Sequence, residues 1–173
     1  LLPSSPKWQS AHAHHLWLEP QRTNFAANPS FSNYTTVSAV NYPTHWRSNA
    51  TLTESSGAGS VSATVGTVIE SNFFPVVGEW LSISFLVKVS AATTFTFGAV
   101  LFDDTHTKPT FLAAGTTTVA SSQTFTQVQG LLKIPGGVSQ MCFRLQVTEG
   151  SSTLLLDDVL LDPHESQYEY FDG

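Results

Sequence analysis

Trp80-Leu81-Ser82-Ile83-Ser84-Phe85-Leu86-Val87-Lys88-Val89-Ser90 is the stretch that decides the fold class. Its odd positions, Leu81, Ile83, Phe85, Val87 and Val89, are apolar, and Ser82, Ser84, Lys88 and Ser90 stand between them. Successive side chains of a β-strand point to opposite faces, so this period of two puts one face in a core. A one-residue slip would turn the whole apolar set to water, which specifies the register. Met141, Phe143, Leu145 and Val147 alternate with Cys142, Arg144, Gln146 and Thr148 in the same way, and Val61 to Ile69 does so more weakly. Phe95 to Phe102 and Leu154 to Leu161 are apolar in both phases, as central strands of a covered sheet are. Val128 to Ile134 adds another strand. Between these runs lie turn signals at Ser55-Ser56-Gly57-Ala58-Gly59, Asp103-Asp104-Thr105, Ala114-Gly115, Pro135-Gly136-Gly137 and Glu149-Gly150-Ser151-Ser152. The pattern predicts an all-β, two-sheet antiparallel β-sandwich of eight to ten strands. Its core would hold Leu81, Ile83, Phe85, Val87, Val89, Phe143, Leu145 and Val147.

The chain has 173 residues, room for one domain with a real core. Ser and Thr number 21 each, and charged residues only 12%, so the surface is hydroxylated rather than ionic and does not read as that of a coiled coil. A net charge of −6 with 7 Lys plus Arg argues against nucleic acid or an anionic membrane as partner, since both call for a basic patch. No run of 18 apolar residues exists to span a bilayer as a helix. The opening Leu1-Leu2-Pro3 shows neither Met nor a signal pattern and reads as a piece of a longer polypeptide. Residues 1–21, with Trp8, Leu16, Trp17 and Leu18, read as an N-terminal arm that docks on a neighbouring subunit or domain. Residues 22–163 hold the sandwich, and 164–173, with Tyr168, Tyr170 and Phe171, read as an exit linker to a following domain.

Few residues suggest reactive chemistry. Cys142 stands alone, so no internal disulfide can form, and it reads as a small buried hydrophobe. His12, His14 and His15 could begin a zinc or nickel site only with a third ligand; the arm reads instead as solvated or packed on a partner. Asp103-Asp104 and Asp157-Asp158 are adjacent pairs whose members point to opposite faces of a strand, not across a cleft as glycoside hydrolysis requires. No Gly-x-Ser-x-Gly elbow and no phosphate-binding loop occurs. The chain is read as non-catalytic.

Several segments together resemble a known family. Arg22-Thr23-Asn24-Phe25-Ala26-Ala27-Asn28-Pro29-Ser30-Phe31 resembles the "TNL-x-x-NPSFE" opening of jelly-roll carbohydrate-binding modules of the xylan- and β-glucan-binding kind. Trp46 with its Ser/Gly-rich turn, Glu79-Trp80-Leu81-Ser82-Ile83-Ser84-Phe85, Phe125-Thr126-Gln127-Val128, Pro135-Gly136-Gly137 and Leu154-Leu155-Leu156-Asp157-Asp158-Val159 follow in the family's order. The ending Tyr170-Phe171-Asp172-Gly173 resembles a phrase of minor tail proteins of phages infecting actinobacteria.

The resemblance implies a jelly roll displayed on a virion tail. There it would assemble with other tail subunits, as a homo-oligomer and in particular a trimer, and touch host cell-wall polysaccharide. The alternative is a purely structural tail or baseplate module that mediates subunit packing. Related modules hold a structural calcium between the opening segment and the closing strand. Here Asp157 matches the closing carboxylate, but Ser32 stands where the family has Glu, so the expectation is weak calcium binding or none. Glycan binding needs aromatic faces flanked by planar polar side chains. The candidates are Trp80, Trp46, Phe102 and Phe111, with Gln127, Arg144, Asn72, Gln129 and Gln146 beside them. Trp80 leads, because its strand phase sets it beside Ser82 and Ser84, whose small hydroxyls would leave room for a sugar ring.

Overall fold

The structure, a computed structural model, describes residues 24–103 and 109–163. The arm, the exit linker, the three arm histidines and Asp104 lie outside them. Strands β1 (Tyr34–Val37) and β2 (Val40–Pro43) form a separate hairpin. The sandwich comprises β3 (Trp46–Ser48), β4 (Leu52–Ser55), β5 (Ala58–Ala63), β6 (Val68–Ser71), β7 (Phe74–Pro75), β8 (Trp80–Val89), β9 (Thr93–Asp103), β10 (Thr110–Val119), β11 (Thr126–Lys133), β12 (Val138–Glu149) and β13 (Ser152–Asp162). One sheet runs β10-β9-β12-β6-β3, with β7 also paired to β12; the other runs β11-β8-β13-β5-β4. Every pairing is antiparallel, and β11, β12 and β13 alternate between the sheets, as a jelly roll requires.

The predicted alternation holds on its two clearest strands. Leu81, Ile83, Phe85, Val87, Val89, Phe143, Leu145 and Val147 are all fully buried. Phe85 sits at the centre, its ring 5.2 Å from Phe97, 5.6 Å from Phe143 and 6.1 Å from Phe95. Each such side chain contributes about 1.5–3 kcal/mol by leaving water. The runs apolar in both phases are central strands: β9 lies between β10 and β12, and β13 between β8 and β5.

Three details of the sequence reading are corrected. Val61 to Ile69 is not one strand. Thr64–Thr67 turns the chain from the five-stranded sheet to the six-stranded one, with Gly66 at φ 89° and the Thr67 amide donating to the Thr64 carbonyl (2.9 Å). Ala114-Gly115 is not a turn but a β-bulge inside β10, where the register against β9 shifts. And there are thirteen strands among the described residues rather than eight to ten, because β3, β4, β7 and the hairpin are too short to show a period.

The opening motif is tied to the closing strand. The Asn24 side chain donates to the Val159 carbonyl (3.0 Å) and accepts from the Leu161 amide (3.1 Å), while the Phe25 amide donates to the Leu161 carbonyl (3.0 Å). Phe31 is fully buried against Gly59, where a Cβ would come within 2.5 Å of its ring. The Asn28 carbonyl accepts from the Trp46 indole N–H at 2.9 Å. The last bond ties the opening segment to β3, at the edge of the six-stranded sheet.

Candidate functional site

The aromatic and polar candidates divide among three places. Phe102, Phe111 and Arg144 come together on the outer face of the six-stranded sheet. Trp80 and Gln127 lie on the five-stranded sheet. Trp46 is buried, with its indole 4.6 Å from the Phe31 ring and 6.2 Å from the Phe143 ring, so it offers no face to a ligand. Position 46 takes the inward phase of β3 because it pairs with Ser71, opposite in phase to Arg47 and Glu70.

The six-stranded face is organised by register. Arg47 on β3 pairs with Glu70 on β6, Glu70 with Arg144 on β12, and Arg144 with Gly98 on β9. Glu70, in the middle of this row, is buried, and both its oxygens are engaged. Oε2 accepts from Arg47 Nε at 2.6 Å, and Oε1 accepts from Arg144 Nε at 2.7 Å and also meets Arg144 Nη2. Charge-assisted bonds of this kind hold planar groups in fixed orientation. Three phenyl rings stand beside the row. The Arg47 guanidinium lies 4.7 Å from the exposed Phe73 ring, and that of Arg144 lies 5.6 Å from Phe111. Phe73 meets Phe102 edge-on at 5.0 Å. Cys142 lies on the same side of the sheet, fully buried, and burial first, then the Glu70 charge, pushes its thiol up to about 11, so it is no nucleophile. Further along the face the side chains become hydroxylated: Thr96 bonds Thr116 at 2.8 Å and Thr94 bonds Thr118 at 2.9 Å. At the β3 edge a concavity of about 420 Å³ opens beside Arg47, Tyr42, Asn49 and Thr51.

Glu70, Arg47 and Phe73 were not among the sequence candidates. A charged residue inside the apolar run Val68-Ile69-Glu70-Ser71 was the available signal, but its two partners come from 23 and 74 positions away. Of the polar candidates, Gln146 shares the outward phase of Arg144 on β12, while Asn72 is drawn into the loop, its side-chain Oδ1 accepting from the Ala27 amide at 3.0 Å.

The surroundings of Trp80 differ from expectation. Ser82 and Ser84 are each only 2% exposed. Ser82 is flanked by Leu131 and Asp162, and Ser84 by Gln129 and Leu160, while the Gln127 amide donates to Ser84 Oγ at 3.2 Å. The serines are therefore not an open floor. Trp80 itself is partly exposed, with Lys133 Nζ 5.6 Å from its ring.

Asp157 has local company only. Its Oδ1 accepts from the Asp158 amide at 2.8 Å, where a bulge in β13 puts Asp158 at φ 46°. Burial, helped by the neighbouring Asp158 charge, lifts its carboxyl from 3.8 to about 6. Ser32 is exposed, and no group of three or more His, Cys, Asp or Glu gathers among the described residues. Calcium takes six to eight oxygens from carboxylates, carbonyls and water, and the acidic side chains grouped here are the adjacent pair Asp157 and Asp158, so the expectation stays at weak binding or none.

No protein-family profile and no curated protein matches the chain. Solved structures do. The C-terminal family 22 carbohydrate-binding module of Clostridium thermocellum Xyn10B superimposes with a TM-score of 0.62 at 12% identity, over 83% of this chain and 96% of that one. The fold is the jelly roll of carbohydrate-binding modules. A family 4 module agrees, with a TM-score of 0.59 at 14% identity, over 80% of this chain and 99% of that one. The enzymatically active domain of tailspike protein 4 from bacteriophage CBA120 gives a TM-score of 0.50 at 15% identity; the match covers 80% of this chain but 21% of the tailspike chain. At such identities the likeness is one of fold.

Proposed function

We propose that this jelly roll is a non-catalytic glycan-binding module whose ligand lies on the outer face of the six-stranded sheet. The observation that carries the reading is the Arg47–Glu70–Arg144 row bracketed by Phe73, Phe102 and Phe111. Phenyl rings supply stacking surface for the C–H faces of sugars, and guanidinium groups held flat by Glu70 supply planar donors for hydroxyls. The carbohydrate-binding-module neighbours support the same reading. Glu70 has both oxygens on guanidinium groups, so it is not poised as one of the two acids of glycoside hydrolysis.

Stacking of this kind contributes about 0.5–1.5 kcal/mol per ring, so a single module binds at roughly millimolar strength. Repetition on an oligomer would raise that by effective concentration. We propose accordingly that the module belongs to a virion tail protein, works as a homo-oligomer with threefold assembly as the expected state, and contacts host cell-wall polysaccharide. The tailspike neighbour and the closing Tyr170-Phe171-Asp172-Gly173 support this. The test is a polysaccharide pull-down with the parent protein, Phe111→Ala and Trp80→Ala. Loss with the first substitution and retention with the second is expected. No retention of the parent would leave the packing role as the function, retention with both variants would overturn this placement of the site, and loss with Trp80→Ala alone would move the site to the other sheet.

A further inference from the structure

Accepting that glycan-binding reading, we infer that the ligand is an acidic glycan, recognised through an isolated carboxylate on a sugar ring by the paired guanidinium groups of Arg47 and Arg144.

The charge distribution motivates this. Among the described residues there are four Lys and Arg side chains. Lys88 and Lys133 belong to strands of the five-stranded sheet, and Arg47 and Arg144 flank Glu70 in one cross-strand row on the six-stranded face. The single carboxylate between the two arginines is Glu70, whose side chain is 10% exposed, whereas Arg47 is 53% and Arg144 29% exposed. The negative charge is thus covered and the positive charge exposed. Two guanidinium groups against one carboxylate leave one net positive charge, on a chain whose overall charge is −6.

Geometry points the same way. Each arginine is held by its Nε edge, Arg47 to Glu70 Oε2 and Arg144 to Glu70 Oε1. Beyond the Nε edges, Arg47 Nη2 makes only a weak 4.0 Å contact to Cys142 Sγ, and Arg144 Nη2 shares Glu70 Oε1. The remaining N–H groups belong to two guanidinium groups that Glu70 orients and that keep access to solvent, so they are available to a ligand. A neutral sugar needs no net charge to be recognised, and hydroxyl ligands would be served equally by amide side chains. A forked donor with surplus positive charge matches a carboxylate.

The acidity of the rest of the chain limits the ligand. Glu149, which accepts a bond from Thr94 on this face, lies five residues along β12 from Arg144, roughly 17 Å at the rise of a strand, beyond the screening length of about 8 Å at physiological salt. A sparsely charged glycan, with one carboxylate reaching the arginine pair and neutral sugars over Phe111 and the threonines, is therefore preferred over a dense polyanion.

The experiment is an array of neutral and uronate-bearing polysaccharides, each acidic polymer printed beside its carboxyl-reduced form, probed with the full chain and with Arg47→Gln, Arg144→Gln and Lys88→Gln. Thermal melts of the same preparations check folding. Expected is at least tenfold stronger retention of an acidic polymer than of its reduced form in low salt. Raising the salt should narrow that gap, Arg47→Gln should reduce it to about twofold, and Lys88→Gln should leave it unchanged. Equal retention of acidic and reduced polymers overturns the carboxylate inference and leaves glycan binding standing. Retention of no polymer overturns the glycan-binding reading and this inference with it. Should Arg144→Gln fail to fold, Arg47→Gln, at the more exposed edge position, decides alone.

Discussion

The two outer faces of this sandwich come from strands with the same alternating pattern, yet they are physically opposite. On the six-stranded sheet the outward phase holds a charged row and phenyl rings, with a buried carboxylate neutralised by two guanidinium groups. On the five-stranded sheet the outward serines of β8 are buried, and the half-buried Asp157 has only the amide of Asp158 for company. Outward phase is therefore not the same as accessibility, and a carboxylate on a sheet face is stabilised or penalised according to what the neighbouring strands bring beside it.

The contrast can be broken or sharpened by substitution, from the largest expected effect down. Gly98 stands in the charged row, under the β10 bulge; a Cβ there would come within 2.0 Å of the Leu112 carbonyl and 2.9 Å of the Ala113 backbone. Gly98→Ala should cost about 3 kcal/mol, since a backbone segment must move. Urea unfolding would read this, and an unchanged midpoint would mean that the bulge is mobile.

Next is Glu70. Glu70→Ala strips the shared partner from Arg47 and Arg144 and should cost about 2 kcal/mol, below the range for fully buried pairs because both arginines retain access to water. Gln127→Ala on the other face, which removes the bond to Ser84, should cost no more than about 1 kcal/mol. Equal losses in thermal melts would erase the distinction between the faces.

Asp157 supplies the pH-dependent member of the set. Its folded pKa of about 6 lies above the ordinary 3.8, so the folded chain holds this proton more tightly than the unfolded one. At about pH 3 and below both states are protonated and almost nothing is lost. Between about 4 and 6 the unfolded chain ionises first and stability falls, and above about 6 the full cost is felt. Asp157→Asn should therefore stabilise by about 1 kcal/mol at pH 7, after discounting for partial solvent access, and by almost nothing at about pH 3. A pair of melting curves at these pH values checks the sign. The smallest expected effect is that of calcium: millimolar additions should leave the melting temperature of the parent unchanged. A rise of several degrees that Asp157→Ala abolishes would reverse the reading of the closing strand.

How much was legible follows from the range over which each signal acts. Leu81 to Val89 and Met141 to Val147 announce their burial because a two-residue period is a local property that only a half-covered sheet rewards. The opening Asn24 and closing Asp157-Asp158 segments could be matched as words, but not the bonds by which Asn24 holds β13. Trp46 misled because an aromatic beside an arginine on a three-residue strand carries no phase information until Ser71 and Glu70 are set opposite. Trp80 misled because serines look open in a sequence, and their cover comes from Leu131, Leu160 and Asp162 on other strands.

The sequence by itself determined the class of fold, the antiparallel sheets, the aromatic core and the low-charge, acidic surface. Each of these depends on composition or on alternation within one strand. Only the tertiary structure decided which outward face is open, since that depends on strand order. It set Arg47, Glu70 and Arg144 in one row through pairings between β3, β6 and β12, strands that are not all consecutive in the chain. Hydrophobic burial rewards any register that keeps the apolar phase inside. Which charged side chains then meet on the far side is fixed by the order in which the strands hydrogen-bond.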